Sequence, residues 1–333
     1  MATSQVSERQ LAMSERPSRP DSNAGNATAF DVRAILSDVV QLLSKQLFFV
    51  GGAIGAGTTW LQVLLDQHPR VSCRGEGHFV TFLVSALQHG VEEYNRYLTA
   101  KNSIIYRGLE GYPLFETNEF NALHATAMLL LMSKQTHGKP VLAVGEKTPD
   151  NVRTFEGLRI SFPAAKFVHM LRDPRDSAVS GWYLGLRTDP AQMKVKFGDM
   201  ADYFRHYIDI WAEEVTLGFE FGARHPQQYI EVRYADLLER SEAALQPVLR
   251  FLGVDASLET ARACIAGAEF QKLSRGRPRG SEDRSSHFRR GVVGDWANHF
   301  DAETNAFFFS RAGDLMKRVG VFDRAGARPE GRS

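Results

Sequence analysis

Between Leu47 and Leu61 the chain reads LFFVGGAIGAGTTWL, an apolar run that breaks into glycines and then into a helix-like segment opening on two threonines. From Gly52 the spacing is G-x-x-x-x-G, followed by Thr58 and Thr59. This is the pattern of a phosphate-binding loop between a strand and a helix, where glycines let backbone N–H groups converge on an anion at the helix N-terminus. A buried parallel strand must therefore precede it and a helix must follow. Thr58 occupies the position where such loops carry the lysine that reaches the β/γ-phosphates. The cradle is expected to hold a phosphate for some purpose other than ATP chemistry.

The surrounding pattern agrees. Apolar or β-branched runs at Leu47–Val50, Val71–Cys73, Val141–Val144, Lys166–Leu171 and Tyr229–Tyr234 alternate with helical periodicities. Such alternation predicts an α/β fold, a P-loop-like three-layer domain with a central, mainly parallel sheet flanked by helices. The domain is expected over 31–322. A disordered tail at 1–30, rich in Ser, Arg, Asn and Pro, precedes it, and a flexible tail at 323–333 follows. Asp31–Lys45 reads as an amphipathic helix with Val32, Ile35, Leu36, Val39, Val40 and Leu43 on one face. Phe79–Gly138 reads as largely helical, Gln271–Arg290 as a mobile basic loop, and Asp301–Gly320 as a closing helix.

Composition narrows the function. Forty Lys+Arg against 39 Asp+Glu leave a net charge of +1, so nothing draws the whole chain toward nucleic acid and any anion site must be local. Cys73 and Cys264 form no C-x-x-C pair, and no H-x-x-x-H run occurs, so neither a disulfide framework nor a metal site is expected. No apolar run approaches the ~18 residues of a membrane span, and the N-terminus lacks the apolar core of a secretion signal. A soluble cytoplasmic protein is expected.

Two further segments carry basic groups at turns. In Lys166–Tyr183, KFVHMLRDPRDSAVSGWY, a strand ends at Arg172, Pro174 sets a turn, and a helix is expected to begin near Asp176 or Ser177. Arg172 is then placed to grip a phosphate with two parallel donors, and Ser180 presents its hydroxyl on the same side. In Phe288–Phe300, FRRGVVGDWANHF, Arg289 and Arg290 precede a Gly291-x-x-Gly294 turn, then Asp295 and Trp296. Taken singly, either segment also reads as a charged surface turn.

Together the three segments resemble the sulfotransferases that use 3′-phosphoadenosine 5′-phosphosulfate (PAPS). Ala53 to Leu61 stands where that family has P-K/R-S-G-T-T-W-L. Arg172, Pro174 and Ser180 meet its 3′-phosphate signature. Arg289, Arg290, Gly291, Gly294, Asp295 and Trp296 match its terminal R-K/R-G-x-x-G-D-W element. VRYADL at Val232–Leu237, containing Tyr234, looks like the family's R-Y-E-D-L strand end, and the resemblance runs from Phe48 to Phe322. It implies sulfuryl transfer from PAPS to a hydroxyl or amine acceptor, with 3′-phosphoadenosine 5′-phosphate (PAP) as product and no metal. Gly55, Ala56, Gly57, Thr58 and Thr59 would cradle the 5′ side and Trp60 would stack near adenine. Arg172 and Ser180 would hold the 3′-phosphate, with Arg289, Arg290 and Gly291 completing that pocket and Tyr234 beside the cofactor.

The family's basic loop residue aligns with Gly55 and its serine with Ala56. RGEGHF at Arg74–Phe79 and GEKTPDN at Gly145–Asn151 resemble the E-x-H-F and E-K-T-P segments of the glycan-modifying branch. Glu76 is then the expected base, His78 the alternative, and Lys147 the expected replacement for the cation missing at Gly55. The expected partner is a small-molecule or glycan acceptor. Its pocket is expected within Phe79–Phe120, where Phe82, Tyr94, Tyr97, Tyr106, Tyr112 and Phe115 either line it or form helical core. Oligomeric state is open. The alternatives are a non-catalytic PAP/PAPS-binding protein, suggested by Gly55 and Ala56, and a nucleotide kinase, opposed by Thr58.

Overall fold

Five strands form one sheet in the order β2-β3-β1-β4-β5: β1 (Gln46–Gly51), β2 (Val71–Arg74), β3 (Ala143–Lys147), β4 (Lys166–Leu171) and β5 (Tyr229–Arg233). Every pairing is parallel, with Phe48 opposite Gly145 on β3 and Phe49 opposite Phe167 on β4. This computed structural model describes residues 31–322 apart from 108 and 137, and both expected tails lie outside the described residues.

β1 and β4 bury every residue after their first. A parallel sheet is covered on both faces, so its central strands read as continuous apolar runs. Phe48, Val50, Val168 and Met170 pack one way, against Leu61, Leu64 and Leu65 of the helix Thr58–Asp66 and Leu245 and Leu249 of Ser241–Phe251. Phe49, Val144 and Phe167 pack the other way, against Val152 and Phe155 of Asn151–Ser161 and Phe221 of Met200–Arg224. A third cluster joins Val179, Trp211 and Phe308 from the helices Pro174–Thr188, Met200–Arg224 and Ala302–Val319.

Several elements differ from expectation. β3 begins at Ala143 and ends at Lys147 instead of running Val141–Val144, because Glu146 and Lys147 are buried and internally bonded. The helix after β4 starts at Pro174, before the expected Asp176 or Ser177. Proline suits a first helical position, and the Asp173 carboxylate caps the helix by accepting from Arg175 N at 2.9 Å. On the helix Val32–Leu43 only Val39 and Leu42 are buried. Its expected apolar face leaves Val32, Leu36, Val40 and Leu43 exposed, since the helix packs mainly on Thr117–Lys134 and turns only Val39 and Leu42 into the core.

The segment after β2 departs furthest. Phe79 enters the core, but the helix Ser85–Ile105 buries none of its residues. Phe82, Tyr94, Tyr97, Tyr106, Tyr112 and Phe115 are all exposed, so they form no helical core, and none of them lines the cavity at the strand ends described below.

Candidate nucleotide and transfer site

In an open parallel sheet the chain leaves every strand on the same edge, and ligands settle there, where the strand order reverses. A cavity of about 230 Å³ lies on this edge, and every strand contributes to it. Gly55 and Gly57–Trp60 follow β1, Glu76 and His78 follow β2, Pro149 and Asp150 follow β3, Arg172 and Ser180 follow β4, and Tyr234 follows β5. Arg289, Arg290 and Gly291 close it from the opposite side. Of the residues expected to take part in catalysis or to hold the cofactor, Ala56 and Lys147 alone do not line the cavity: Ala56 is packed into the core, and Lys147 stands just behind the wall.

The glycine loop is held by its neighbours. Gly57 has φ +96°, and a Cβ there would lie 2.6 Å from the Tyr234 ring. Gly55 has φ +84°, and a Cβ there would lie 2.3 Å from the Ser177 carbonyl oxygen. Both positions therefore demand glycine. Tyr207 donates its hydroxyl to Ile54 O at 2.6 Å, and Arg172 donates to Gly55 O at 2.9 Å and Val292 O at 3.1 Å. The Arg172 guanidinium lies 4.1 Å from the Tyr234 ring centroid, and Tyr234 meets Trp60 edge-on at 5.4 Å.

Lys147 joins the two functional edges of the cavity. It is 1% exposed, and its Nζ donates to Thr59 Oγ1 at 3.0 Å and to Glu76 Oε1 at 2.5 Å. The other Glu76 oxygen lies 3.2 Å from His78 Nε2. A buried ammonium persists only when paired and hydrogen-bonded, and here its partners are a loop hydroxyl on one side and the expected base on the other.

Glu146, next to it on β3, is a residue the sequence reading missed. Its buried carboxylate accepts from Gly77 N at 2.8 Å, Thr148 Oγ1 at 2.5 Å and Asn151 Nδ2 at 2.7 Å. Thr148 Oγ1 in turn accepts from His78 N at 3.2 Å, and Asn151 Nδ2 donates also to Val50 O at 3.2 Å. One carboxylate thus ties together the chain leaving β1, β2 and β3. Burial pushes it above the usual carboxylate range, against the pull of Asn151, Thr148 and Gly77. Its signal was present, since Glu146 adjoins Lys147 in GEKTP, but only the lysine suggested chemistry.

Opposite, Asp295 bonds both Arg289 and Arg290, and Arg289 also meets Glu282 at 2.5 Å. Burial alone would raise the Asp295 carboxyl. Hydrogen bonds from His299 and Arg289 outweigh it and hold the group well below its usual range. Asp176, at the start of the helix after β4, accepts from Gly294 N at 2.8 Å and Trp296 N at 2.9 Å, tethering this segment to the Arg172 side. The expected basic loop is stitched by Arg277, which donates to Arg289 O at 2.6 Å and Phe288 O at 2.5 Å. Among the described residues, Nε of both Arg172 and Arg289 is buried without a partner.

Other lining residues were not anticipated. Leu184 and Arg187 follow Ser180 at i+4 and i+7 on one helix face, a spacing that could have revealed them. Phe270, which opens the single helical turn Phe270–Leu273, and Arg279 and His287, from irregular chain, had no comparable signal. Among the described residues no helix is long and apolar enough to cross a membrane.

The sulfotransferase family model matches residues 48–257, more than half of the chain, and the protein belongs to that family. Its sheet and flanking helices are the α/β, P-loop-like architecture expected from the sequence. Protein-tyrosine sulfotransferase 1 of Danio rerio is 24% identical over 242 residues, covering 72% of this chain and 62% of the relative. The protein-tyrosine sulfotransferase of Drosophila melanogaster is 24% identical over 246 residues, 72% of this chain and 44% of that one. Sulfotransferase 2A2 of Mus musculus is 25% identical over 158 residues, 43% and 54% respectively. The chain thus spans roughly half of the length of these curated relatives. Among solved structures, mouse sulfotransferase SULT7A1 complexed with PAP is 16% identical, covering 86% of this chain and 91% of that one, with a TM-score of 0.49.

Proposed function

We propose that this protein transfers a sulfuryl group from PAPS to a hydroxyl acceptor, releasing PAP and a sulfate ester. The observation that carries this reading is the buried Lys147, whose ammonium bonds both Thr59 of the glycine loop and Glu76. A phosphate-facing hydroxyl, a cation and a carboxylate therefore form one connected chain. The polar groups fit the nucleotide: the glycine-loop amides with Thr58 and Thr59 suit its 5′ side, and Arg172, Ser180, Arg289, Arg290 and Gly291 suit its 3′-phosphate. Among the described residues the buried Nε of Arg172 and of Arg289 finds no partner, so neither guanidinium is saturated by the protein's own acceptors. Trp60 and Tyr234 offer aromatic surface to the base.

The reaction exchanges the sulfur–oxygen bond to the 5′-phosphate for one to the acceptor oxygen, and the freed electron pair stays on the phosphate. Glu76, with its side chain 35% exposed, takes the acceptor's proton. His78 steadies that carboxylate from its other oxygen. Lys147 neutralises the charge that builds on the leaving phosphate, the role left open at Gly55. A small-molecule or glycan acceptor and a cytoplasmic location are part of this reading.

The test is PAP titration by calorimetry together with labelled PAPS offered to a panel of alcohols, phenols, amines and glycans. Label on an acceptor, with PAP as product, is the expected result. Tight PAP binding with no transfer to any acceptor would make the protein a nucleotide-binding module. Strong displacement of PAP by ATP would favour a kinase.

A further inference from the structure

Five arginines line the cavity: Arg172, Arg187, Arg279, Arg289 and Arg290. Arg289 and Arg290 are bonded to Asp295. Arg172 spans two carbonyls and lies 4.0 Å from Asp176. Arg279 stands 5.9 Å from the Trp60 ring and 6.0 Å from Phe270, at the aromatic end of the cavity. Arg279 has no carboxylate partner among the described residues, but it is exposed, whereas Arg187 is half-buried on the helix that carries Ser180. The one hydrogen bond of Arg187 goes to the Arg284 carbonyl at 3.2 Å, and among the described residues no carboxylate lies within ion-pair distance of it either. Asp283, the acid whose field it feels, is already engaged by the amide and hydroxyl of Ser285, at 3.0 and 2.6 Å.

Its position is equally specific. Arg187 lies about two helical turns beyond Ser180 on the same face, with Leu184 between them. His287 also lines the cavity; burial, Lys147 and Arg187 lower its basicity against the pull of Glu76, so it is near enough to sense both the proposed reacting cluster and Arg187. Burial and the nearby Arg289 both disfavour charge on Arg187, which makes an unpaired guanidinium here costly unless a ligand supplies the anion. The groups assigned to the nucleotide are already distributed among the glycine loop, Lys147, Arg172, Ser180, Arg289 and Arg290. The aromatic segment expected to shape the acceptor pocket does not reach the cavity, which leaves this corner to do so.

We propose that the acceptor is a small hydroxyl compound bearing its own acidic group, a carboxylate or sulfate, and that Arg187 holds that group while Leu184 and Phe288 cover the apolar body. This rests on the sulfuryl-transfer reading. The experiment offers labelled PAPS with phenolic and aliphatic hydroxy acids, each paired with its methyl ester, to the full chain and to its Arg187→Gln and Arg187→Lys variants. PAP affinity is measured separately by calorimetry.

The expected result is kcat/KM at least tenfold higher for acids than for their esters, expressed mainly in KM. Arg187→Gln erases that preference, Arg187→Lys keeps part of it, and PAP affinity stays within about twofold. A tenfold loss of PAP affinity in Arg187→Gln would assign the guanidinium to the nucleotide and overturn the proposal. Equal or better use of the esters, or transfer to no acid while PAP binds, would overturn it too. Failure of the unaltered protein to bind PAP would break the underlying reading and this inference with it.

Discussion

The cavity has two unlike walls. One is made of strand ends, where Gly55, Gly57, Lys147 and Glu146 are fixed by contacts that continue into the core. The other, between Leu273 and Val292, is irregular chain held by Arg277 on carbonyls and by Asp295 on two arginines. Groups that must be aimed at a reacting bond gain from rigid support, because small errors of placement are costly. Groups that only grip an anion tolerate a wall that opens locally, and such openings cost less than global unfolding. Chemistry should therefore depend on the strand-end wall and capture on the irregular one.

The largest test of this division is Lys147→Ala. Removal of one preorganised electrostatic donor typically costs ~10²–10³ in rate, so turnover should fall by that much while PAP affinity changes less than about threefold. Calorimetry beside single-turnover assays separates the two. A parallel collapse of PAP affinity would make Lys147 a binding residue and blur the division.

Next in size is Gly55→Lys, which asks whether the strand-end wall tolerates the cation it lacks. The positive φ of Gly55 and a Cβ site 2.3 Å from Ser177 O argue that it does not. A left-handed backbone with a side chain costs roughly 1–2 kcal/mol, and overpacking adds roughly 1–3 kcal/mol. Thermal unfolding should register a loss of that order with no gain in turnover. A stable, faster variant would show that the loop yields and that Lys147 is no replacement.

The strand-end wall should also feel pH from behind. Burial pushes the Glu214 carboxyl up to about 7, against the pull of Arg153, whose Nε donates to it at 2.8 Å; its second oxygen has no partner among the described residues. Glu214 lies on the helix Met200–Arg224 that also supplies Tyr207 to the glycine loop, and it feels Asp150 of the cavity. The folded state holds this proton more tightly than the unfolded chain does. Its stabilisation is complete below about pH 4.5, declines as pH rises through about 7, and is gone above. Glu214→Gln should thus gain on the unaltered protein between those values, by up to about 3 kcal/mol. Urea unfolding across that range checks it, and a pH-independent difference would mean that Arg153 keeps the carboxylate charged throughout.

Legibility in the sequence divides along the same line. β1, β4 and the glycine loop were readable because continuous apolar runs and obligatory glycines are local signals. Arg172, Ser180 and Tyr234 were readable from motif order. Glu146 was not, because a buried carboxylate is identified by the donors folded around it, here Gly77, Thr148 and Asn151, which lie as far as 69 positions away. The exposed aromatics of Phe82–Phe115 misled because aromatic composition says nothing about which surface a helix turns toward the core. Arg187 was half legible: its spacing from Ser180 was visible, but the lack of a carboxylate partner is a fact of three dimensions.

The smallest expected effect belongs to the irregular wall. Among the described residues Arg277 hydrogen-bonds to no strand end. Its guanidinium bonds the carbonyls of Phe288 and Arg289, and so presents the backbone on which Arg289 and Arg290 are mounted. Arg277→Ala removes that stitch but leaves Asp295 and Asp176 holding the segment from its far side. Three hydrogen bonds from a charged donor, to the carbonyls of Ser281, Phe288 and Arg289, are lost at a partly exposed site, so the effect should be about 1–2 kcal/mol, read as a roughly tenfold weaker PAP affinity. Turnover at saturating PAPS should change less than threefold, because Lys147 and Glu76 are untouched. Faster proteolysis between Leu273 and Val292, suppressed by PAP, would accompany it. If saturating turnover fell as far as in Lys147→Ala, the irregular wall would be aiming the chemistry as well as gripping the anion, and the two walls would be a single device.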